Sequence, residues 1–423
     1  MYTSKTLRKI RKILYHPVRS PKILIVRNDG LGDLILTLPL VASIRKAVPT
    51  ARIYLMTHTS LQTLGTLLPD LEGVVADPGC LLKRHRKGKP GDLLTAQERQ
   101  LRDEIRAHNF DIAIFAYAES RSAKIIHSAG IPWRVGTGRR LFSWRFNVRN
   151  PLSRKRSRMA ESWHNLQMLR YIGLSAEYVF PEIRLNDSPE EVTKPYIVLH
   201  PYKRNGTALA WSLQNFTKLA EKLLKGGYRV ILVGDHVDEE ILKTNFAGLL
   251  KNKETELNTG LTIRQLFILL RSASAFIGNS SGPLHLAALA QIPHVGFFPQ
   301  NRTSSPSRWR TLKSENTIPI NQYLLASKFP MNCITCLGPK CQYFNCVDSI
   351  SVDSVIQGLS AWGVPAKAVL SRPKKQSTGE QKEGEALATA AKKAPAKNQK
   401  PKKSNRKAAK KTNSAVKKKK TPQ

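Results

Sequence analysis

The sequence predicts an α/β protein made of two parallel, doubly wound sheets, and three observations carry that prediction. Short apolar runs of strand type alternate with helical periodicity along most of the first 370 residues. The alternation starts afresh at Tyr196, giving two similar halves. Each half also holds a small-residue turn between a strand and a helix, where open α/β sheets place their ligands. With 423 residues and 41% apolar composition there is material for two cores.

Taken in order, residues 1–20 carry six basic residues and no acid. Leu7, Ile10, Ile13 and Leu14 fall on one helical stripe, the pattern of a basic helix that lies on anionic lipid or packs on the body. The first Rossmann-like half, 21–187, is expected to place strands at 22–27, 52–57, 73–76, 111–117 and 133–136. Its helices are expected at 33–47, 95–108, 120–129 and 160–173. The loop 83–91 is too polar and basic for a core, and Asn186-Asp187-Ser188-Pro189 reads as a linker. The second half, 188–370, should run strand 196–200, helix 212–224, strand 229–233, helices 237–247 and 262–271, and strands 274–278 and 294–298. A helix is also expected over 352–362. Residues 371–423 hold 18 Lys and Arg against three Glu and no aromatic residue, so this tail is expected to be disordered.

The net charge of +39 is not the tail's alone, because the first 370 residues carry +24. Such a body favours anionic partners: phosphates, nucleic acid or an acidic membrane surface. No apolar run reaches 18 residues, and charges interrupt the N-terminus where a signal peptide needs an apolar stretch, so a cytoplasmic protein is expected. Five cysteines in a chain this long do not make a disulfide scaffold.

Two turns carry the chemistry. Asn279-Ser280-Ser281-Gly282-Pro283-Leu284-His285 joins a strand to a helix, whose first free N–H groups suit a diphosphate, with His285 on the first turn. An ordinary capped connection is the plainer alternative. Arg27-Asn28-Asp29-Gly30-Leu31-Gly32-Asp33 follows the first strand and sets two acids at its carboxyl end. Its spacing is not the dinucleotide fingerprint, which argues against a nicotinamide cofactor. Asp33 is either a simple helix cap or a working carboxylate.

Together, Gly32-Asp33 with Thr37-Leu38-Pro39 and the run Gly278 to Ala288 resemble the ADP-heptose:lipopolysaccharide heptosyltransferases of glycosyltransferase family 9. Ala51-Arg52-Ile53, Asp111-Ile112-Ala113 with Arg121-Ser122, Arg134-Val135-Gly136 and the cysteines 333, 336, 341 and 346 extend the likeness over roughly residues 21–365. The resemblance implies the GT-B architecture, two Rossmann-like domains facing a central cleft, with the helix over 352–362 crossing back to the first half. It implies an inverting transfer of a sugar, heptose from ADP-heptose, to an acidic glycolipid such as lipopolysaccharide core. Asp33 would be the general base and Asp29 its rival.

The donor side would then use Asn279, Ser280, Ser281, Gly282 and His285, with Glu239 or Glu240 on the nucleotide and Lys203 or Arg204 near the phosphates. The acceptor side would use Gly32, Lys83, Arg84, Arg86 and Arg121. This chain departs from the family pattern twice. Ser280 stands where an aspartate is usual, and Leu209 stands two residues before Trp211, where a lysine is usual. Donor identity therefore stays open, and a relative using another nucleotide sugar is the alternative. No metal cofactor is expected, although Cys333, Cys336, Cys341 and Cys346 have spacings that would permit a metal site. The basic termini suggest peripheral attachment to the cytoplasmic face of the inner membrane. A rival of another class is a non-catalytic transferase scaffold whose tail binds nucleic acid.

Overall fold

Among the described residues, twelve strands form two six-stranded parallel sheets of the same topology. The computed structural model describes residues 4–79, 94–154, 157, 159–185, 194–201, 210–299, 304–313, 322–326, 340–341, 346–361 and 364. The first sheet comprises β1 (Lys22–Val26), β2 (Arg52–His58), β3 (Gly73–Asp77), β4 (Ile112–Phe115), β5 (Trp133–Thr137) and β6 (Val148–Asn150) in the order β3-β2-β1-β4-β5-β6. The second comprises β7 (Tyr196–His200), β8 (Arg229–Gly234), β9 (Thr255–Thr259), β10 (Ala275–Asn279), β11 (His294–Phe298) and β12 (Gln322–Ala326) in the order β12-β11-β10-β7-β8-β9. In both sheets the strand order reverses beside the first strand, at β1/β4 and at β7/β10, and the crevice at such a reversal is where a ligand fits.

Burial on both faces explains why the central strands are continuous apolar runs such as Ile23 to Val26 and Ala275 to Ile277. One face of the first sheet packs on helices Ala96–His108 and Ser120–Ser128, through Leu24, Val26, Met56, Leu101, Ile105, Phe115 and Ile125. Its other face, with Ile23, Ile25, Ile53, Leu34 and Leu38, belongs to a core that runs on into Val198, Phe276, Leu284 and Leu286 of the second half. The outer face of the second sheet packs on Trp211, Phe216, Leu219 and Val355. Trp211 stacks on Phe297 at 4.2 Å and donates its indole N–H to the Ile350 carbonyl at 2.8 Å.

Two expectations are corrected, for helices 33–47 and 352–362. The expected helix 33–47 is two helices, Leu31–Ile35 and Leu38–Ala47, broken where the Thr37 hydroxyl bonds back to the Asp33 carbonyl. Helix Ser4–Leu14 spends its apolar stripe on the body: Ile10 and Leu14 are fully buried in the shared core, beside the 3-10 turn Gln167–Ile172. Lys5, Arg8, Lys9, Arg11 and Lys12 remain exposed. Helix Val352–Ala361 packs by Val355, Ile356 and Leu359 into the second half's own core rather than crossing back. The linker at 186–189, the basic loop 83–91 and the tail all lie outside the described residues.

Candidate active site

Arg27 directly follows β1 and is fully buried at the β1/β4 crevice, and its guanidinium organises the site. Nε donates to Asp29 Oδ1 at 2.7 Å, and Nη1 donates to the Ala116 carbonyl just past β4 and to Glu161 Oε1, each at 3.2 Å. Nη2 donates to Asp33 Oδ1. Glu161, from helix Glu161–Leu166, also pairs with Arg154 Nε at 3.3 Å and with Arg308 Nη2 at 3.1 Å. Three arginines thus balance three carboxylates, and each charge taken from water has an opposite partner. Asn165, one turn after Glu161, braces the group: Arg154 donates to its Oδ1 at 2.7 Å, and its Nδ2 donates to the Leu36 carbonyl at 3.0 Å.

Asp33 lies in the first turn of helix Leu31–Ile35, but that helix is capped by Gly30 and has no side-chain cap, so the simple capping role falls away. Its side chain stays 23% exposed, whereas Arg27 shows 1%. Burial and the neighbouring Asp29 charge push the Asp33 carboxyl up to about 7, against the opposing pull of Arg27. A carboxyl tuned to that range takes and releases a proton near neutrality. Burial works against the Glu161 anion too, but Arg154, Arg27 and Arg308 outweigh it and hold its carboxyl down at about 2. His164, one turn on, is kept neutral by burial, its imidazole pushed down to about 4.

Asp29, Asp33 and Arg27 form part of the wall of a cavity of about 520 Å³. Arg139, Arg140, Arg154 and Arg308 supply cations there, while Tyr117 and Trp309 supply aromatic faces. Arg308 and Trp309 come from the short helix Pro306–Trp309 of the second half, so both halves build the chamber.

The two sequence motifs meet. Helix Gly282–Leu289 packs against helix Leu31–Ile35 so closely that a Cβ on Gly32 would stand 2.6 Å from His285 Cδ2. A Cβ on Gly282 would stand 2.9 Å from that of Leu31. Glycine is needed at both positions for approach, not for backbone angles. His285 is accordingly buried against the first motif rather than open to the cleft. Pro283 in the first turn lacks an N–H, which leaves those of Gly282 and Leu284 at the helix start. Ser281 Oγ meets His200 Nδ1 at 3.2 Å across the β7/β10 crevice. Asn279 is spent on structure: its Oδ1 accepts from the Trp211 backbone N–H at 2.8 Å and its Nδ2 donates to the Pro201 carbonyl at 2.9 Å. Ser280 is half-buried and donates its backbone N–H to the Phe297 carbonyl.

Alignment against known families matches residues 98–336 to glycosyltransferase family 9 (heptosyltransferase). The chain belongs to glycosyltransferase family 9. Among curated relatives of this glycosyltransferase, lipopolysaccharide heptosyltransferase 2 of Escherichia coli is 24% identical over 303 residues, covering 66% of this chain and 82% of the relative. Among solved structures, a family 9 glycosyltransferase from Veillonella parvula superposes with a TM-score of 0.64 at 17% identity, covering 81% of this chain and 96% of that one. The E. coli ADP-heptose heptosyltransferase II superposes at 0.61 with 21% identity, covering 80% and 98%. The GT-B fold of two facing α/β halves is thereby shared.

The remaining expected residues of this transferase divide three ways. Arg121 is occupied away from the chamber, with Nη1 on Asp77 at 2.8 Å and Nε on Glu98 at 2.9 Å. Glu239, at the carboxyl end of the second sheet, accepts from Thr259 Oγ1 at 2.9 Å and pairs with Lys243 at 2.6 Å. Lys203, Arg204, Leu209, Lys83, Arg84, Arg86, Cys333 and Cys336 lie outside the described residues. Among the described residues no cluster of His, Cys, Asp and Glu is arranged to hold a metal. Sequence reading passed over Arg27, Arg154, Glu161 and Arg308 as parts of the site. Glu161-Ser162-Trp163-His164-Asn165 did carry a signal, a polar group within a helix expected to pack on a core.

Proposed function

We propose that this glycosyltransferase moves a heptose from ADP-heptose to an acidic glycolipid, lipopolysaccharide core, with inversion and with Asp33 as general base. The observation that carries the reading is Asp33 itself, partly exposed in an arginine-lined chamber and tuned to about 7 beside the donor-side helix. The acceptor hydroxyl oxygen attacks the anomeric carbon from the face opposite the diphosphate. Its proton passes to the carboxylate, the bond from anomeric carbon to diphosphate oxygen breaks, and ADP departs. The Gly282 helix start receives the departing diphosphate charge, and the chamber arginines suit an acceptor rich in carboxylate or phosphate. No metal is assigned a step.

Ser280 in place of the family's usual aspartate supports a second reading, in which another nucleotide sugar is the donor. We place the enzyme in the cytoplasm, at the inner face of the membrane that holds its acceptor. No helix among the described residues is long and apolar enough to cross a membrane. The test is nucleotide release from a panel of nucleotide sugars with a soluble core acceptor, with the anomeric configuration of the product read by NMR. Retention at the anomeric carbon, or release from no sugar nucleotide, defeats the proposal.

A further inference from the structure

The stretch from Ile131 to Ala160 combines two extremes. It carries nine Lys and Arg with no acid until Glu161. It also holds Leu141, Trp144, Leu152 and Met159, four of the eight large apolar side chains exposed among the described residues. Scattered exposed apolar residues are ordinary on a protein surface, but their concentration on a basic stretch without an acid of its own is not. Leu141 is fully exposed and Trp144 is 58% exposed, both on the 3-10 turn Leu141–Arg145 beyond β5. Trp144 is held outward between Arg145, whose guanidinium lies 4.3 Å from the ring centroid, and His127, in edge contact at 5.3 Å. Arg139 and Arg140, which open this turn, also line the Asp33 chamber, as does Leu152.

We infer that the Leu141–Arg145 turn docks the protein onto an anionic lipid bilayer, setting the chamber mouth against the membrane surface. The inference rests on the glycolipid reading for its purpose, but not for its physics. Arginines pair with lipid phosphates, indole settles at the headgroup level, and leucine gains from the acyl boundary. A nucleic acid would use the arginines and the indole and leave Leu141 in water, and an acceptor drawn from a bilayer has to enter beside it. The N-terminal helix buries Ile10 and Leu14 in the body and the Lys-rich tail holds no aromatic residue, whereas this turn exposes a leucine and an indole side by side.

The full chain is mixed with vesicles of phosphatidylglycerol and phosphatidylethanolamine, or of phosphatidylcholine, carrying brominated acyl chains that quench nearby indoles. Wild type should be quenched on the anionic vesicles and not on phosphatidylcholine, and Trp144→Phe should remove most of that quenching. The double variant Leu141→Ser/Trp144→Ser should partition at least tenfold less at high salt, where attachment through the charged termini is screened. Its turnover on a water-soluble acceptor should be unchanged. Equal partition of wild type and double variant, or quenching that persists in Trp144→Phe, overturns the inference. So does an equal loss of DNA binding in the double variant, which would make the turn a nucleic-acid surface. Docking without turnover on any acceptor would leave this inference standing and remove the functional proposal.

Discussion

Asp29→Asn separates the two carboxylates at the base site in one experiment. Asp29 and Asp33 accept from neighbouring N–H groups of the same guanidinium, and the Asp29 charge is the largest electrostatic contribution raising the Asp33 carboxyl. Carboxylates sharing one guanidinium stand about 5 Å apart, where an effective dielectric of about 20 gives a repulsion of roughly 3 kcal/mol, or about two pKa units. Asparagine keeps an oxygen for Arg27 Nε and removes only the charge. Because Asp33 works as a base when ionised, kcat/KM of the wild type should fall tenfold per pH unit below about 7. In Asp29→Asn the same limb should move down, to between about pH 5 and 6, with the plateau near that of wild type. The assay is the pH profile of nucleotide release at low acceptor concentration. A limb that stays near 7 refutes the electrostatic account, and a plateau lowered by 10²–10⁴ makes Asp29 the base instead.

Asp33→Asn should lower turnover by roughly 10²–10⁴ while ADP binding, followed by calorimetry, stays within about twofold of wild type. Glu161, held at about 2 in the folded protein, contributes about 3 kcal/mol of stability that is present above its unfolded pKa and lost as pH falls from about 5 to 2. Urea unfolding at pH 7 and pH 3 should show roughly half of that loss in wild type and a smaller one in Glu161→Gln. Gly32→Ala should cost about 1–3 kcal/mol by forcing the new methyl against His285. The double variant with His285→Ala should recover part of it, and strict additivity in thermal unfolding would show that the two helices do not meet there.

Legibility in the sequence followed burial. The central strands announce themselves because both faces are covered, so Ile23 to Val26 and Ala275 to Ile277 read as unbroken apolar runs. The strands that escaped are edges: Val148–Asn150 is three residues long, Thr255–Thr259 is largely polar with one buried position, and Gln322–Ala326 closes the far side. An edge strand needs no two-sided apolar pattern. Glycine–aspartate and serine–glycine turns pointed to the two crevices, since turn chemistry is local. The Arg27–Glu161 pair spans 134 residues, and a single sequence offers no way to see that a buried arginine and a helix glutamate so far apart are partners.

That long-range pair changes what the base motif means. Asp33 read alone is a carboxylate at a turn. In the structure, Arg27 holds it, Glu161 holds Arg27, and Arg308 reaches from the second half to Glu161 and to the Arg154 carbonyl at 2.9 Å. Withdrawing Arg308 would leave Glu161 with one cation fewer, draw Arg27 toward Glu161 and leave Asp33 less stabilised as the anion. The same half carries helix Gly282–Leu289, lodged against Gly32. Arg308→Met should therefore raise the pH of the acid limb, opposite in sign to Asp29→Asn, as well as lowering the melting temperature. A lower melting temperature with the limb still near 7 would make Arg308 a structural tie alone, with no hold on the base.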